Sequence, residues 1–107
     1  MSVKSTRIGK AFERRIARDL RAAGYEAARN LEEVRSGNSG DVVNDAGLCI
    51  QCKSYARRAP WRAAMREALE AARAGEVAVA VTHENNNDTY AHLLWSDLVS
   101  LLERTRQ

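Results

Sequence analysis

Apolar residues recur every three or four positions over two long segments of the chain, and this spacing predicts two amphipathic helices. The first helix runs from a Ser5-Thr6 cap to about Ala23, where Gly24 stops it. The second begins at Pro60 and ends at Gly75. The apolar stripes consist of Ile8, Phe12, Ile16, Leu20 and Ala23 in the first helix and of Trp61, Ala64, Met65, Ala68, Leu69 and Ala72 in the second.

A β-hairpin is predicted between the two helices. Its strands, Asp41–Asn44 and Leu48–Lys53, flank an Asp-x-Gly turn. Side chains alternate along a strand, which places Cys49, Gln51 and Lys53 on one face and Leu48, Ile50 and Cys52 on the other. If the second face packs on the core, Gln51 and Lys53 project together toward Asp41 on the neighbouring strand.

Short apolar runs predict three further strands and a last helix. Tyr25–Arg29 is the first of these strands, and Glu76–Thr82 has the continuous apolar character of a central strand buried on both faces. Thr89–Trp95 follows as another strand, and Ser96 is the candidate cap of a final helix that continues through Leu102. The element order is therefore αβββαββα, with helices covering a sheet.

Composition favours a single compact domain over residues 1–107. The chain has 45% hydrophobic residues, enough for one core, and no apolar run approaches the roughly 20 residues that span a membrane. The charged N-terminus lacks an apolar segment, so we expect no signal peptide and a cytoplasmic location. Cys49 and Cys52 fall on opposite strand faces, and we interpret them as reduced thiols rather than as zinc ligands or a redox pair.

Basic residues are concentrated near the N-terminus. Residues 1–30 contain eight Lys or Arg and three acidic residues, whereas residues 31–107 contain nine basic and eleven acidic residues. A basic segment of this kind is expected of a surface that binds phosphates. An ordinary solvated helix surface explains the same charges equally well.

Asp41, Gln51 and Lys53 carry the candidate chemistry of the sequence. The predicted hairpin places a carboxylate, an amide oxygen and an ammonium group where they can surround one metal ion. These groups are the minimal set for metal-assisted hydrolysis of a phosphodiester. The small residues Ser36-Gly37-Asn38-Ser39-Gly40 precede Asp41 and would let a phosphate backbone approach closely.

The same three residues match the Gln-x-Lys variant of the PD-(D/E)xK nuclease pattern, and the chain resembles the archaeal-type Holliday junction resolvases, which also occur in phages. The matching segments are Gly9-Lys10-Ala11-Phe12-Glu13-Arg14, Gly24-Tyr25, Arg29, the Ser/Gly loop with Asp41, Gln51-Cys52-Lys53-Ser54 and a late strand near Trp95. They cover most of the chain in order. The resemblance implies a restriction-endonuclease-like α/β core, a mixed central sheet flanked by helices, and a role in DNA recombination and repair in a bacterial, archaeal or phage-infected cell.

The resemblance also implies a Mg²⁺ site that Mn²⁺ would accept. Asp41 would be the charged ligand, and Gln51 and the Cys52 carbonyl would supply neutral oxygens. Lys53 would orient the attacking water and stabilise charge on phosphorus. Glu13, on the flank of the first apolar stripe, is either a partly buried ion-pair member or a group turned toward the active site. The family match favours the second role, in which Glu13 holds a second metal or its water.

Basic and hydroxyl side chains are expected to contact the DNA backbone. These residues are Lys10, Arg14, Arg29, Arg35, Ser36, Ser39, Arg57 and Arg58. A plain surface charge is the alternative for each Arg except Arg29, which the family order favours. His83 and His92 match no catalytic position, and we interpret both as structural or exposed.

Two positions depart from the family pattern. Gly40 stands where a proline usually precedes the aspartate. Gln51 stands where a glutamate is usual. Since the glutamine is neutral and offers a single carbonyl oxygen, metal affinity is expected to fall.

The leading hypothesis is an endonuclease that nicks four-way DNA junctions as a homodimer, because two symmetric cuts need two sites. The dimer surface is expected at Trp61 and Met65 or, preferably, at Leu94, Trp95 and the last helix. Two alternatives stay open. One is another nuclease of the superfamily, of the restriction or nicking type, and the other is a nucleic-acid-binding module with the same fold and little catalytic activity.

Overall fold

The computed structural model describes residues 3–31, 40–55, 60–84 and 88–106, with side chains from residue 7 onward. Within these residues the helices and strands follow the predicted order and confirm a mixed α/β fold. The elements are α1 (Val3–Ala22), β1 (Ala27–Arg29), β2 (Val42–Asn44), β3 (Leu48–Tyr55), α2 (Trp61–Ala71), β4 (Val77–Glu84), β5 (Thr89–His92) and α3 (Trp95–Thr105). No described helix is both long and apolar enough to cross a membrane.

The described strands form one mixed sheet in the order β1-β2-β3-β4-β5. β3 and β4 are parallel, and the other neighbouring strands are antiparallel. A parallel pair needs a crossover connection, and α2 supplies it between β3 and β4. The predicted hairpin of β2 and β3 is confirmed, and Gly47 takes a φ of 79° in its turn.

The sheet separates two apolar clusters of different composition. On one face, Phe12, Ile16 and Ala17 of α1 pack against branched residues of the strands, among them Val42 and Ile50. On the other face the cluster is nearly all alanine, and its buried members are Ala64, Met65, Ala68, Ala78 and Ala80. Small side chains on both partners let α2 lie close to β4. We call this second cluster the alanine layer.

The central position of β4 is confirmed, since its first six residues are all buried. β4 continues to Glu84, two residues beyond the predicted end, because His83 still pairs with Thr89 of β5 and Glu84 pairs with Tyr55 of β3. The other two strands predicted from apolar runs are shorter than expected. β1 begins two residues later than predicted, β5 ends at His92, and α3 begins at Trp95 with no side-chain cap.

The predicted stop of α1 at Gly24 is confirmed by its hydrogen bonds. Gly24 has a φ of 102°, its N–H donates to the Arg21 carbonyl, and the Tyr25 N–H donates to the Leu20 carbonyl. This pair of bonds is the Schellman arrangement, in which glycine tolerates the left-handed conformation. The chain therefore reverses directly after α1 and enters β1.

α3 lies on the α1 side of the sheet and covers it incompletely. Leu101 packs against the cluster of α1, yet within α3, all of which is described, no side chain is fully buried. Trp95 is 74% exposed and Leu102 54%. By contrast Met65, which the sequence offered as a dimer contact, is buried in the alanine layer, so that expectation is wrong for Met65.

Gly40 stands at the entry to β2 because no other residue fits there. Its φ is 87°, outside the range that a proline ring permits, so a proline could not take this backbone conformation. A Cβ at this position would lie 2.6 Å from the Ile50 carbonyl oxygen and 2.8 Å from the Ile50 nitrogen. The main chain of residue 40 therefore rests directly on β3.

Gly40→Ala is expected to lower the free energy of unfolding by about 1–3 kcal/mol, because it combines a left-handed backbone with a main-chain clash. Urea denaturation followed by circular dichroism measures this change. Gly24→Ala is the matched control, since Gly24 has a positive φ but nothing lies within 4 Å of its added Cβ. Equal losses in the two variants would contradict the role of the Ile50 contact.

Candidate functional site

Asp41 is fixed at the mouth of the hairpin by β3. Its N–H donates to the Ile50 carbonyl at 2.6 Å. Its carboxylate Oδ2 accepts the Cys52 N–H at 2.8 Å. Cys52 lies between Gln51 and Lys53 in β3. These bonds therefore bring Asp41 beside Gln51 and Lys53, as the sequence predicts.

Gln51 and Lys53 are half-buried on the face of β3 that α2 covers. The alternation that the sequence predicted is confirmed, because Ile50 and Cys52 pack with α1 on the opposite face. The Lys53 ammonium is already engaged: its Nζ lies 3.4 Å from Glu67 Oε2 of α2. Lys53 therefore has an acidic partner on the side of the sheet away from α1.

Glu13 approaches the site from α1, on the other side of the sheet. Its Oε1 accepts a hydrogen bond from Arg29 Nε at 3.0 Å, and both side chains are mostly shielded from solvent. Glu13 is thus the ion-pair member that its position on the helix flank suggested. Its negative charge also contributes to raising the pKa of Asp41. Arg29, predicted as a DNA contact, has its Nε turned inward to Glu13.

The Asp41 carboxyl is costly to ionise in this setting. Burial raises the pKa of Asp41 above its ordinary 3.8, and the negative charges of Glu13 and Glu67 raise it further. The Cys52 N–H and the Lys53 ammonium lower the pKa without cancelling the effect of burial. A positive charge placed beside Asp41 would relieve this cost.

Asn30 clamps the chain where it enters β2. Its main-chain N–H donates to the Asp41 carbonyl at 2.9 Å, and its Nδ2 donates to the Gly40 carbonyl at 2.7 Å. Within the described part of the chain its buried Oδ1 receives no hydrogen bond. Asn30, directly after β1, therefore holds Asp41 from the side opposite β3.

Cys52 takes part in the site through its main chain rather than its thiol. Both cysteines are buried and form no disulfide. Burial, followed by the negative charge of Asp41, raises the pKa of the Cys52 thiol well above its ordinary range, so the sulfur stays protonated. Since the N–H and C=O of a strand residue point to the same edge, the Cys52 carbonyl faces the side on which Asp41 lies.

Of the predicted DNA contacts, Lys10 and Arg14 are exposed on α1. Their contact with DNA stays a prediction. Five of the other predicted DNA-binding residues lie outside the described residues: Arg35, Ser36, Ser39, Arg57 and Arg58.

The two histidines have structural partners. His83 contacts the Phe12 ring, with 5.8 Å between ring centroids, and shares a hydrogen bond with Thr89. His92 stacks on Trp61 at 5.2 Å and shares a 2.9 Å hydrogen bond with the buried Thr82 hydroxyl. Burial lowers the pKa of His92. These contacts agree with the structural interpretation of both residues.

Two residues of the site were not singled out from the sequence, Glu67 and Asn30. A signal for Glu67 exists, because it lies between the buried Ala64 and Ala68, as Glu13 lies beside Phe12 on α1. An acid at the edge of an apolar helical stripe can reach a basic partner on the sheet, as Glu67 does with Lys53. Nothing in the spacing of the sequence marks Asn30.

Among the described residues, no three His, Cys, Asp or Glu side chains converge in a group that could hold a metal ion. A cation here would therefore depend on amide and main-chain oxygens as well as on carboxylates. Comparison with protein-family models and with curated proteins gave no match to this chain.

Asp41→Asn is expected to raise the free energy of unfolding at neutral pH in metal-free buffer. The amide keeps an acceptor for the Cys52 N–H and removes a buried charge. Because the folded-state pKa of Asp41 lies above 3.8, the folded protein binds more protons between the two pKa values, and the wild type loses stability as the pH rises through that interval. Urea denaturation over a pH series measures the difference.

The advantage of Asp41→Asn should shrink as the pH is lowered and vanish below 3.8, where the carboxyl is protonated in both the folded and the unfolded state. Asp88→Asn, which removes an exposed carboxylate, controls for the loss of one negative charge. If the two variants show the same pH dependence, the burial of Asp41 does not govern its ionisation.

Proposed function

We propose that this chain is a divalent-metal-dependent endonuclease that nicks four-way DNA junctions and has the PD-(D/E)xK nuclease core. The observation that supports this most directly is the hydrogen bond between Asp41 and the Cys52 amide. It groups a carboxylate, an amide side chain and an ammonium at one end of a hairpin. The element order αβββαββα is the one expected of that core, and it adds support to the assignment.

The donor set fits Mg²⁺ or Mn²⁺. Hard cations of this kind take oxygen ligands, and Mg²⁺ keeps several waters, so a site needs few protein groups. Asp41 would hold the cation through its carboxylate, with the Gln51 amide oxygen and the Cys52 carbonyl as neutral ligands. When bound, the cation supplies positive charge that neutralises a phosphate and acidifies a water.

The protein's own groups then have distinct tasks in the proposed reaction. Lys53, next to the Asp41 side chain, places a positive charge where negative charge grows on phosphorus in the transition state. Glu13 lies across the sheet end and orients water near Asp41, while Arg29 restrains the Glu13 carboxylate. Lys10 and Arg14, exposed on α1 next to Glu13 in sequence, contact neighbouring phosphates of the DNA backbone.

A nucleic-acid-binding module with little catalytic activity is the second candidate. Two observations favour it: Gln51 brings no charge to the site, and the Lys53 ammonium is paired with Glu67. Binding without hydrolysis would need the basic α1 surface but neither Asp41 nor a metal. Another nuclease of the same superfamily, acting on linear duplex, differs from the first candidate in its substrate alone.

The proposal includes a homodimer, because one site in a domain of this size cuts one strand at a time. The exposed apolar residues of the α3 region support a contact there, because Trp95 and Leu102 are seven residues apart on one side of α3 and Leu94 adjoins them, and a grouped apolar surface of this kind indicates an interface. Trp61, from the other predicted surface, stacks on His92 and is also exposed.

With Mg²⁺ or Mn²⁺, the protein is expected to nick a four-way junction in preference to a linear duplex of the same sequence, and EDTA should abolish the cleavage. Asp41→Asn should reduce the rate by orders of magnitude while leaving junction binding intact. Labelled junctions resolved on denaturing gels measure cleavage, and mobility shifts measure binding.

Three results would separate the candidates. Undiminished cleavage by Asp41→Asn would overturn the site. Binding without cleavage under any metal condition would favour the binding module. Equal cleavage of junction and duplex would favour a nuclease of the restriction or nicking type.

Sedimentation is expected to give about twice the chain mass of 11.9 kDa at micromolar protein concentration. Trp95→Ala combined with Leu102→Ala should shift this value to the monomer mass, because it removes the exposed apolar side chains of α3. Trp61→Ala is the matched control on the other predicted surface. Dissociation by the control alone would overturn the α3 contact, and a monomer that cuts junctions in symmetric pairs would overturn the dimer.

A further inference from the structure

The proposed metal site is short of one negative charge on β3. Gln51 is neutral, so Asp41 is the single carboxylate among the proposed ligands of the first cation. Divalent cations bind more tightly as the number of charged ligands rises. A further carboxylate lies close to Lys53, and the sequence pattern gives it no role in the metal site.

That carboxylate is Glu67 of α2. α2 packs on the face of the sheet that carries Gln51 and Lys53, and the alanine layer holds it there. Glu67 lies beside the buried Ala68 and reaches Lys53 with 3.4 Å between Oε2 and Nζ. The Glu67 carboxylate is thus held at Lys53, which shares its strand face with Gln51.

We propose that Glu67 is the second carboxylate of the metal site and supplies from α2 the charge that Gln51 does not supply from β3. The inference rests on the proposed function. It assigns to the helix a ligand that the usual pattern places on the strand.

The contact with Lys53 is compatible with this role. A carboxylate has two oxygens and accepts several bonds, so one side chain can serve the ammonium and a cation together. Half of the Glu67 side chain is exposed, which leaves it room to adjust. Gln51 shares the strand face of Lys53, so a charge from position 51 and a charge from position 67 would reach the same region.

A purely structural role for Glu67 makes a different prediction. If it only restrains the Lys53 ammonium, its loss would lower turnover and leave metal affinity unchanged. Metal affinity in the absence of DNA therefore distinguishes a ligand from a restraint.

The test is calorimetric titration of Mn²⁺ into wild-type protein, Glu67→Gln and the double variant Glu67→Gln with Gln51→Glu. Glu67→Gln is expected to weaken Mn²⁺ binding by about tenfold or more. The double variant should recover most of the affinity, because the charge returns from the neighbouring strand. Glu70→Gln, an exposed residue one turn further along α2, is the control and should bind like the wild type.

Each outcome has a definite meaning. Wild-type affinity in Glu67→Gln, with the circular dichroism of the folded protein, would overturn the assignment of Glu67 and leave the proposed nuclease function standing. Failure of Gln51→Glu to restore binding would overturn the idea that the two positions supply the same charge. Absence of Mn²⁺ binding by the wild type would instead overturn the proposed metal-dependent function.

Discussion

The hydrogen bond from the Cys52 amide to the Asp41 carboxylate takes the place of a strand-to-strand bond just before β2 begins. β2 and β3 pair through Val42 and Ile50, and one step further the partner of the Cys52 N–H is a side chain instead of a carbonyl. The carboxylate of the candidate site therefore also completes the sheet. Gly40, which lies against Ile50, and Asn30, which bonds the Gly40 and Asp41 carbonyls, both support this bond because they fix the backbone that carries Asp41.

Charges around Asp41 are arranged on both sides of the sheet. Glu13 approaches with Arg29 from α1, and Glu67 approaches with Lys53 from α2. The sheet keeps the two acids apart, while each has a basic partner within contact distance. Asp41 lies at the strand end between these pairs and is held there by a main-chain amide. The Cys52 N–H and the Lys53 ammonium offset part of the cost of burying this carboxylate, while burial and the two acids keep its pKa raised.

The sequence was sufficient for the parts of the fold that depend on local periodicity. The alternation of β3 correctly grouped Gln51 with Lys53, the hairpin turn brought Asp41 to them, and Gly24 marked the end of α1. What could not be predicted depends on how elements meet. The reach of Glu67 to Lys53 follows from the rotation and height of α2 on the sheet, and the clamp by Asn30 follows from the pairing of β1 with β2. The end of β4 at Glu84 likewise depends on its neighbours.

The alanine layer determines the distance between α2 and the sheet. Ala64 and Ala68 meet Ala78 and Ala80 with no large side chain among the four, so the helix rests nearly on the strand backbone. A glutamate side chain is short, and its reach to β3 depends on that spacing. Replacing any of these alanines with a larger apolar residue would move α2 away from the sheet and separate Glu67 from Lys53. Four buried methyl groups, which have no chemistry of their own, thus determine whether the charges of Glu67 and Lys53 can meet.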